Sequence, residues 1–496
     1  MMASTLAHGV RLSSLLHDLV TVPRPLDRHI EDITLDSREA RPGSCFIALG
    51  GHTDDGAHYA ADAIARGAIA VIAERPLTNL RPDVPCLHSA DLRQHLGTIA
   101  NRFFDTPSAA LKLCAITGTN GKTTVAHLVA QAVELMGDAA GYIGTLGAGD
   151  LRHLQPLANT TPDIITINRC LAASRARGCR VVALEASSHA LAQQRLAGLA
   201  IHVGAFTNLG HDHLDYHIDI DAYGAAKRRL FAHPDLKGAV INIDDALGAQ
   251  IALGRPSSAS LWTCSSRDGN ARLRADGIVA VASGMQFTLD IDGWRQRIAS
   301  RLAGRFNVDN LLVVCGLLLA CDYAPQAVAA VLPLLRGVSG RAEECGRSRR
   351  GARVFVDYAH TPDSLAAILA TLRELTPRRI VVVFGCGGGR DRSKRPVMGA
   401  IAERDAERVI VTSDNPRDED AATIADEIRA GMRAPHNASV VLDRAAAIRL
   451  AVSEAQDGDF VLIAGKGHER TQESAGQVSA FSDHAEIDRA LAESNP

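Results

Sequence analysis

The residues most able to do chemistry come first at Gly118-Thr119-Asn120-Gly121-Lys122-Thr123-Thr124. They follow a short apolar run, Leu113 to Ile116, and open an amphipathic stretch with Val125, Leu128, Val129, Ala132 and Met136 on one face. That order predicts a strand, a glycine turn and a helix. Backbone N–H groups at such a helix N-terminus, together with the helix dipole, attract phosphate, while Lys122 offers a point charge and Thr123 a hydroxyl for Mg2+. A nucleoside triphosphate is the implied ligand. The loop is shorter than the usual phosphate loop, because Ile116 stands where a first glycine is expected.

Glu185, in Glu185-Ala186-Ser187-Ser188-His189, follows the strand-like Val181 to Leu184, the place where phosphate-loop enzymes set a carboxylate for Mg2+. Thr207 to Asp215 packs His211, Asp212, His213 and Asp215 behind another apolar run. Two histidines at i and i+2 also suit zinc, but no cysteine or third histidine lies at fitting spacing. Beside Glu185 and the phosphate loop, His213 reads as a further Mg2+ ligand. Lys227, in Ala225-Ala226-Lys227, reads by itself as a solvated side chain on a helix. Arg341 follows a turn-rich joint, from where it can reach a nucleotide.

Turn-forming residues near Thr106-Pro107-Ser108 and Gly337-Val338-Ser339-Gly340 separate periodic segments. They divide the chain into 1–107, 108–338 and 339–496. Strands are expected to end at Ile116, Ile143, Leu184, Phe206 and Ile243, and again over 353–356, 380–384, 408–412, 439–442 and 459–464. Helical stretches such as 324–331 and 445–455 alternate with them. The expected class is α/β in three domains: a smaller N-terminal α/β domain, a central phosphate-loop domain with a mostly parallel sheet, and a Rossmann-like, doubly wound C-terminal domain. Ligands of such sheets sit at the carboxyl ends of strands. There the sequence places Asp357 to His360, Gly385 to Arg390, Asp414 to Arg417 and Gly465 to Glu469.

With 53 basic and 56 acidic residues the formal charge is only −3, so no global field recruits nucleic acid or an anionic membrane. The 10 cysteines are scattered without a Cys-x-x-Cys pair and read as buried free thiols in a reducing compartment. The N-terminus lacks a basic segment followed by an apolar core, and the longest apolar run, Leu311 to Cys321, is too short for a bilayer. Cytoplasmic location, no membrane insertion and a monomeric state are the expectations.

Thr117 to Thr124, Glu185 to His189, Asp212 to His217, Gly304 to Asn307, Asp357 to His360 and Gly465-Lys466-Gly467-His468-Glu469, in this order, resemble the Mur ligase family. The likeness runs from Asp36-Ser37-Arg38 to Glu469, and is strongest to the branch that extends UDP-MurNAc-L-Ala-D-Glu in peptidoglycan precursor synthesis. It implies an ATP-dependent amide ligase acting through an acyl phosphate, with Mg2+ on Thr123, Glu185, His213 and a carbamylated Lys227. Asn307, Arg341, Asp357 and His360 would join the loop residues in holding ATP. Asn159, Thr160, Thr161, Ser187, Gln193 and Arg195 would hold the muramoyl peptide, and Leu35, Ser37, His52, Thr53 and Asp54 the uridine diphosphate.

Asp414-Asn415-Pro416-Arg417 bears on the amino acid added. Pro416 stiffens the turn, and Arg417 can pair bidentately with a carboxylate. In the family this tetrapeptide marks enzymes choosing meso-2,6-diaminopimelate, with Arg390, Gly465 and Glu469 as companions. Two positions depart from the family pattern: Gly389, where Asp is commoner, and Ala342, where Met is. Cys386, in a glycine turn without an evident base, does not read as a nucleophile. The competing readings are a ligase of the same kind adding L-lysine, a folylpolyglutamate synthetase-like ligase, and a phosphate-loop NTPase acting as a switch.

Overall fold

The computed structural model describes residues 9–51, 54–78, 80–81, 83–254, 259–281, 284–376 and 378–493. The chain divides into two compact units, one of residues 1–115, 137–202 and 233–236, the other of residues 116–136, 203–232 and 237–496.

In the first unit, Asp32–Thr34, Ser44–Ala48, Ala70–Ala73 and Cys86–His88 form a four-stranded sheet, all parallel and in sequence order. Phe46 and Val71 pack against Ala60, Ala63 and Ile64. The strand Val181–Glu185 pairs in parallel with Ala140–Gly144, so Glu185 and Gly144 emerge at adjacent strand ends. Asp163 starts the helix Ile164–Ala176 by accepting the amides of Ile165 and Thr166.

In the second unit, Val203–Phe206, Gly238–Asn242 and Ser260–Ser265 run parallel. An antiparallel set, Leu273–Val281, Gly284–Ile291 and Trp294–Ser300, continues that sheet. The helix Arg305–Ala320 is apolar nearly all round, and Leu311 to Leu318 are all buried. The run that is too short to span a bilayer is thus a core helix. No helix among the described residues is long and apolar enough to cross a membrane.

The C-terminal sheet has the order Glu343–Arg347, Arg353–Asp357, Phe460–Ala464, Ile380–Phe384, Arg408–Val411, Ser439–Val440; the first strand is antiparallel and the rest parallel. Ile380, Val382 and Phe384 enter one core, Val381 and Val383 another. Alternate residues of one strand thus feed two layers, which is why it reads as a continuous apolar run. The doubly wound expectation holds, with strand ends within a residue or two of those read from sequence. The sequence reading did not separate the antiparallel set at 273–300 or the hairpin Thr471–Ser474/Gln477–Ala480.

Arg444 and Asp483, at the starts of two helices on one face of this sheet, are both fully buried and paired at 2.7 and 2.8 Å. The guanidinium also donates to the Ala464 carbonyl at 3.0 Å. Asp483→Asn should cost about 3–5 kcal/mol, because it leaves a buried cation without its counter-charge. The expected readout is a lower urea midpoint with an unchanged slope. A midpoint equal to wild type would remove this pair from the account of stability.

Candidate functional site

The strand Lys112–Thr117 delivers the chain to the phosphate loop, and Gly121 stands at the N-cap of the helix Lys122–Leu135. Gly118 and Gly121 adopt φ values of 148° and 87°, which side chains rarely tolerate. A Cβ on Gly118 would fall 1.8 Å from Thr207 Oγ1, and one on Gly121 2.5 Å from Asn310 Oδ1. The loop is pinned from the neighbouring strand end. The Thr119 amide donates to the Asn208 carbonyl at 2.8 Å, the Asn120 amide to Asn208 Oδ1 at 2.9 Å, and Thr207 Oγ1 to the Asn120 carbonyl at 2.6 Å.

Two lysines converge on this loop. Lys122 Nζ donates to the Gly118 and Thr119 carbonyls at 2.9 and 2.7 Å, and Lys227 Nζ donates to the same Gly118 oxygen at 2.8 Å. Lys227 is 1% exposed, which reverses the reading of a solvated side chain. It lies on the helix Ile220–Arg228, where Tyr223, one turn earlier, sets its ring 4.0 Å from Nζ. Burial, and then the Lys122 ammonium, push its amine well below the usual lysine range.

Asp212 is buried at the next strand end. It lies 3.5 Å from His213 Nε2, 3.5 Å from His360 Nε2 and 3.6 Å from Lys394 Nζ. Burial opposes its ionisation, yet the His360 hydrogen bond and the surrounding cations hold it well below the carboxylate range. His213 takes a left-handed backbone, φ 56°, at the start of the helix Leu214–His217.

A cleft of about 400 Å³ opens beside the loop, lined by Asn120, Gly121, Thr124, Asn208, Asp245, Asn310 and Arg341, among others. From the helix Arg305–Ala320 it takes Phe306, Asp309, Asn310 and Val313, one helical face. Asn307 points round the helix. It lines an adjoining hollow of about 390 Å³ that Arg341 also borders, and accepts from Asn310 Nδ2 at 3.2 Å. Arg341 reaches Thr123 Oγ1 at 3.4 Å and lies over the Tyr358 ring at 4.3 Å. Asp357 Oδ2 accepts the Ala342 amide at 2.6 Å, and burial raises its carboxyl despite nearby Arg341.

Glu185 belongs to the first unit and is fully buried there. It accepts Tyr142 Oη at 2.5 Å, the Thr145 amide at 2.9 Å and Thr145 Oγ1 at 3.2 Å. Thr160 Oγ1 lies 3.1 Å from that same hydroxyl. Thr161 Oγ1 donates to the Glu185 carbonyl at 2.6 Å and accepts the Ser187 amide at 3.0 Å. Arg195 donates to the Thr161 carbonyl at 2.7 Å and pairs with Gln193 Oε1. Leu35, Ser37, Asp54, Asn159, Gln193 and Arg195 line one cleft of about 1050 Å³. These six residues, some assigned by resemblance to uridine diphosphate and some to the muramoyl peptide, share a single hollow, whereas Thr160, Thr161 and Ser187 do not line it. His52 and Thr53 lie outside the described residues.

In the C-terminal sheet, the Asp414–Arg417 turn, after Arg408–Val411, meets Gly465–Glu469, after Phe460–Ala464, across the end of the intervening strand Ile380–Phe384. Lys466, fully buried, donates to Asn415 Oδ1 and Glu469 Oε2, both at 2.9 Å, and Asn415 Nδ2 donates to Glu469 Oε2 at 3.0 Å. Arg417 sits at φ 54°, with Nη1 donating to the Gly388 carbonyl at 2.6 Å and Nε 3.2 Å from Glu473 on the unforeseen hairpin. Gly389 adopts φ 59° and gives its amide to Glu419 Oε1 at 2.6 Å, while Arg390 stands exposed next to it. Burial pushes the Cys386 thiol up to about 12, which keeps it an inert thiol. All ten cysteines are free.

Sequence reasoning gives no role to Tyr223, Asp245, Asn310 or Lys394, and includes Asn208 and Lys466 only as members of strand-end clusters. Lys394 and Lys466 carry the commonest surface side chain, and only their burial distinguishes them.

Three Mur ligase families match the chain in succession: the Mur ligase family catalytic domain over residues 29–103, the Mur ligase middle domain over 116–318, and the Mur ligase glutamate ligase domain over 340–467. The UDP-N-acetylmuramoyl-L-alanyl-D-glutamate--2,6-diaminopimelate ligase of Xanthomonas campestris pv. campestris is 44% identical over 488 residues, 98% of each chain. Its namesake from Pseudomonas putida is 44% identical over 475 residues, 94% of this chain and 96% of that one. A solved structure of a ligase of that name superposes with a TM-score of 0.69 at 35% identity, covering 98% of this chain and all of the other. The chain belongs to the Mur ligase family and is an ATP-dependent amide ligase.

Gly118→Ala should weaken nucleotide binding by about tenfold or more, the 1.4 kcal/mol that a strained, crowded backbone readily exceeds. Calorimetric titration with a non-hydrolysable ATP analogue measures it. Wild-type affinity in that variant would mean that the loop does not receive the phosphates.

Proposed function

We propose that the chain joins meso-2,6-diaminopimelate to the side-chain carboxylate of D-Glu in UDP-MurNAc-L-Ala-D-Glu, in the cytoplasmic assembly of peptidoglycan precursors. The single observation that carries this choice of amino acid is the Asp414–Arg417 turn, whose arginine is locked by Gly388 and Glu473 beside the Lys466–Asn415–Glu469 cluster. A guanidinium after one strand and a carboxylate after another suit a ligand end that bears both a carboxylate and an ammonium. L-lysine offers only the ammonium and brings no carboxylate to the guanidinium, forgoing charged hydrogen bonds worth roughly 1.5–3 kcal/mol.

A carboxylate is a poor acyl donor because its leaving group would be oxide. In the proposed reaction its oxygen attacks the γ-phosphorus of ATP, the bond to the β-phosphate oxygen breaks, and ADP leaves. The amine of diaminopimelate then adds to the acyl phosphate carbonyl, loses a proton, and phosphate departs as the amide forms. Like charges meet in the first step. Lys122, the loop amides and Arg341 supply positive charge for it. Asn120, Asn208, Asn310, Asp357 and His360 border the nucleotide, and the first-unit cleft holds the UDP-muramoyl peptide.

The donor set fits Mg2+: a hydroxyl on Thr123, an imidazole on His213 and, from Lys227, an anionic carbamate. The ion would neutralise phosphate charge. Lys227 suits carbamylation because burial beside Lys122 favours its neutral amine, which can add CO2 and release a proton. We also propose domain boundaries near residues 107 and 338.

Phosphate release measured with each substrate omitted in turn should require ATP, the UDP-muramoyl dipeptide and diaminopimelate together; release with ATP alone supports a switch-type NTPase instead. Arg417→Ala should lower kcat/KM for diaminopimelate about 10–100-fold, the equivalent of 1.5–3 kcal/mol in charged hydrogen bonds, while barely changing that for L-lysine. Equal kinetics for the two enzymes with diaminopimelate would reject the assignment. Enzyme equilibrated with 13C-bicarbonate should give a carbamate resonance that Lys227→Ala lacks. If wild type and variant give the same spectrum, the carbamate is discarded.

A further inference from the structure

A separate cluster of reactive side chains stands on the first strand of the C-terminal sheet and the last helix. Glu343, Cys345 and His484 bring one carboxylate oxygen, the thiol sulfur and one ring nitrogen within 4.8 Å of one another, all on half-buried residues. Glu343 and Cys345 lie two apart on the strand Glu343–Arg347, and a register shift between Glu344 and Gly346 makes Cys345 a bulge residue, re-aiming its side chain. His484 comes from the first turn of the helix Asp483–Glu493, which the buried Arg444–Asp483 pair holds in place. The trio is therefore preorganised by a sheet and an anchored helix.

We propose that Glu343, Cys345 and His484 bind a divalent cation of the Zn2+ class, with a fourth position open to water. Thiolate, imidazole and carboxylate form a donor set for a borderline-soft ion, and the soft thiolate, which Mg2+ disfavours, makes this site distinct in kind from any metal position beside the triphosphate. Bonds of about 2.0–2.3 Å to such an ion place its ligands roughly 3–4 Å apart, a small contraction of the observed trio. His484 Nε2 already lies 2.8 Å from Glu343 Oε2. Binding releases the protons of the ligating groups to solvent.

Glu343 Oε2 also accepts the Gly340 amide at 2.7 Å and Ser339 Oγ at 3.1 Å. It ties down the turn that carries Arg341 toward Thr123. An ion on Glu343 would therefore sit directly behind a contact to the phosphate-loop helix.

Chelator-treated full-length protein, titrated with Co2+ and no substrate, tests this apart from the ligase assignment. One equivalent should produce a thiolate-to-metal charge-transfer band with tetrahedral ligand-field bands, which Zn2+ bleaches and excess Mg2+ does not. Cys345→Ser should abolish the charge-transfer band, and Cys86→Ser, at the other half-buried thiol, should keep it. His484→Gln should weaken binding at least about 10–100-fold, the loss typical of outer-sphere partners alone. No band in wild type, a band that persists in Cys345→Ser, or one lost in Cys86→Ser overturns the site. Should Cys345→Ser not fold, an unchanged titration in His484→Gln overturns it equally.

Discussion

Two ammonium groups donate to one carbonyl oxygen, that of Gly118, and much of the second unit follows from keeping that arrangement dry and ordered. Cations so close repel, and burial removes the water that would screen them. One of them must give up its proton readily, and the deeper one, Lys227, is placed to do so. Lys122 keeps its partners on the loop's own carbonyls, bonds that an incoming phosphate can replace without moving the helix. Gly118 is indispensable to this geometry: its φ of 148° aims the carbonyl between the lysines, and Thr207 fills the space a side chain would need.

The same economy of charge recurs in the C-terminal sheet. Its strands are apolar on both faces, so polar groups can leave the core only at the strand ends. Asp357, Thr412 to Arg417 and Gly465 to Glu469 all exit there, the first and last from adjacent strands and the second from beyond Ile380–Phe384. Lys466, fully buried, survives because Asn415 and Glu469 both accept from it. Arg444 survives through Asp483 and the Ala464 carbonyl. Each buried cation holds two or more segments together, so the loops that must recognise a ligand are cross-braced by charges unable to stand alone.

Elements with a strong period were legible in the sequence. The strand Ile380–Phe384 shows as an unbroken apolar run because both its faces are covered, and Gly118 to Thr124 shows as a phosphate loop because only glycine fits its backbone. What remained hidden depends on tertiary burial. Lys227, Lys394 and Lys466 look like solvated lysines until helices and strands close over them, and Lys227 gained importance only through family resemblance. The hairpin Thr471–Ala480 was missed because its strands are short and largely exposed, leaving no apolar alternation to read. Asn307 stands out by motif and Asn310 does not, yet a step of three residues round the helix puts Asn310 on the cleft face.

The hairpin alters the argument about specificity. An isolated arginine on a flexible turn could swing to any carboxylate, and selectivity would then be weak. Here the Arg417 amide donates to the Glu473 carbonyl at 3.1 Å, the Ala475 amide returns to the Arg417 carbonyl at 2.6 Å, and the guanidinium meets both Gly388 and Glu473. With its backbone in the left-handed region and its Nη1 and Nε engaged, the side chain has little freedom left to lose on binding. The Nη2 hydrogens and the second Nη1 hydrogen are the donors left for a ligand. Gly389 bears on this too, because at φ 59° it lets the Gly388 carbonyl approach Nη1 and places no further carboxylate beside Arg417. An aspartate in that position would bring a second anion to a guanidinium already facing Glu473, so glycine leaves more of the positive charge for a ligand carboxylate.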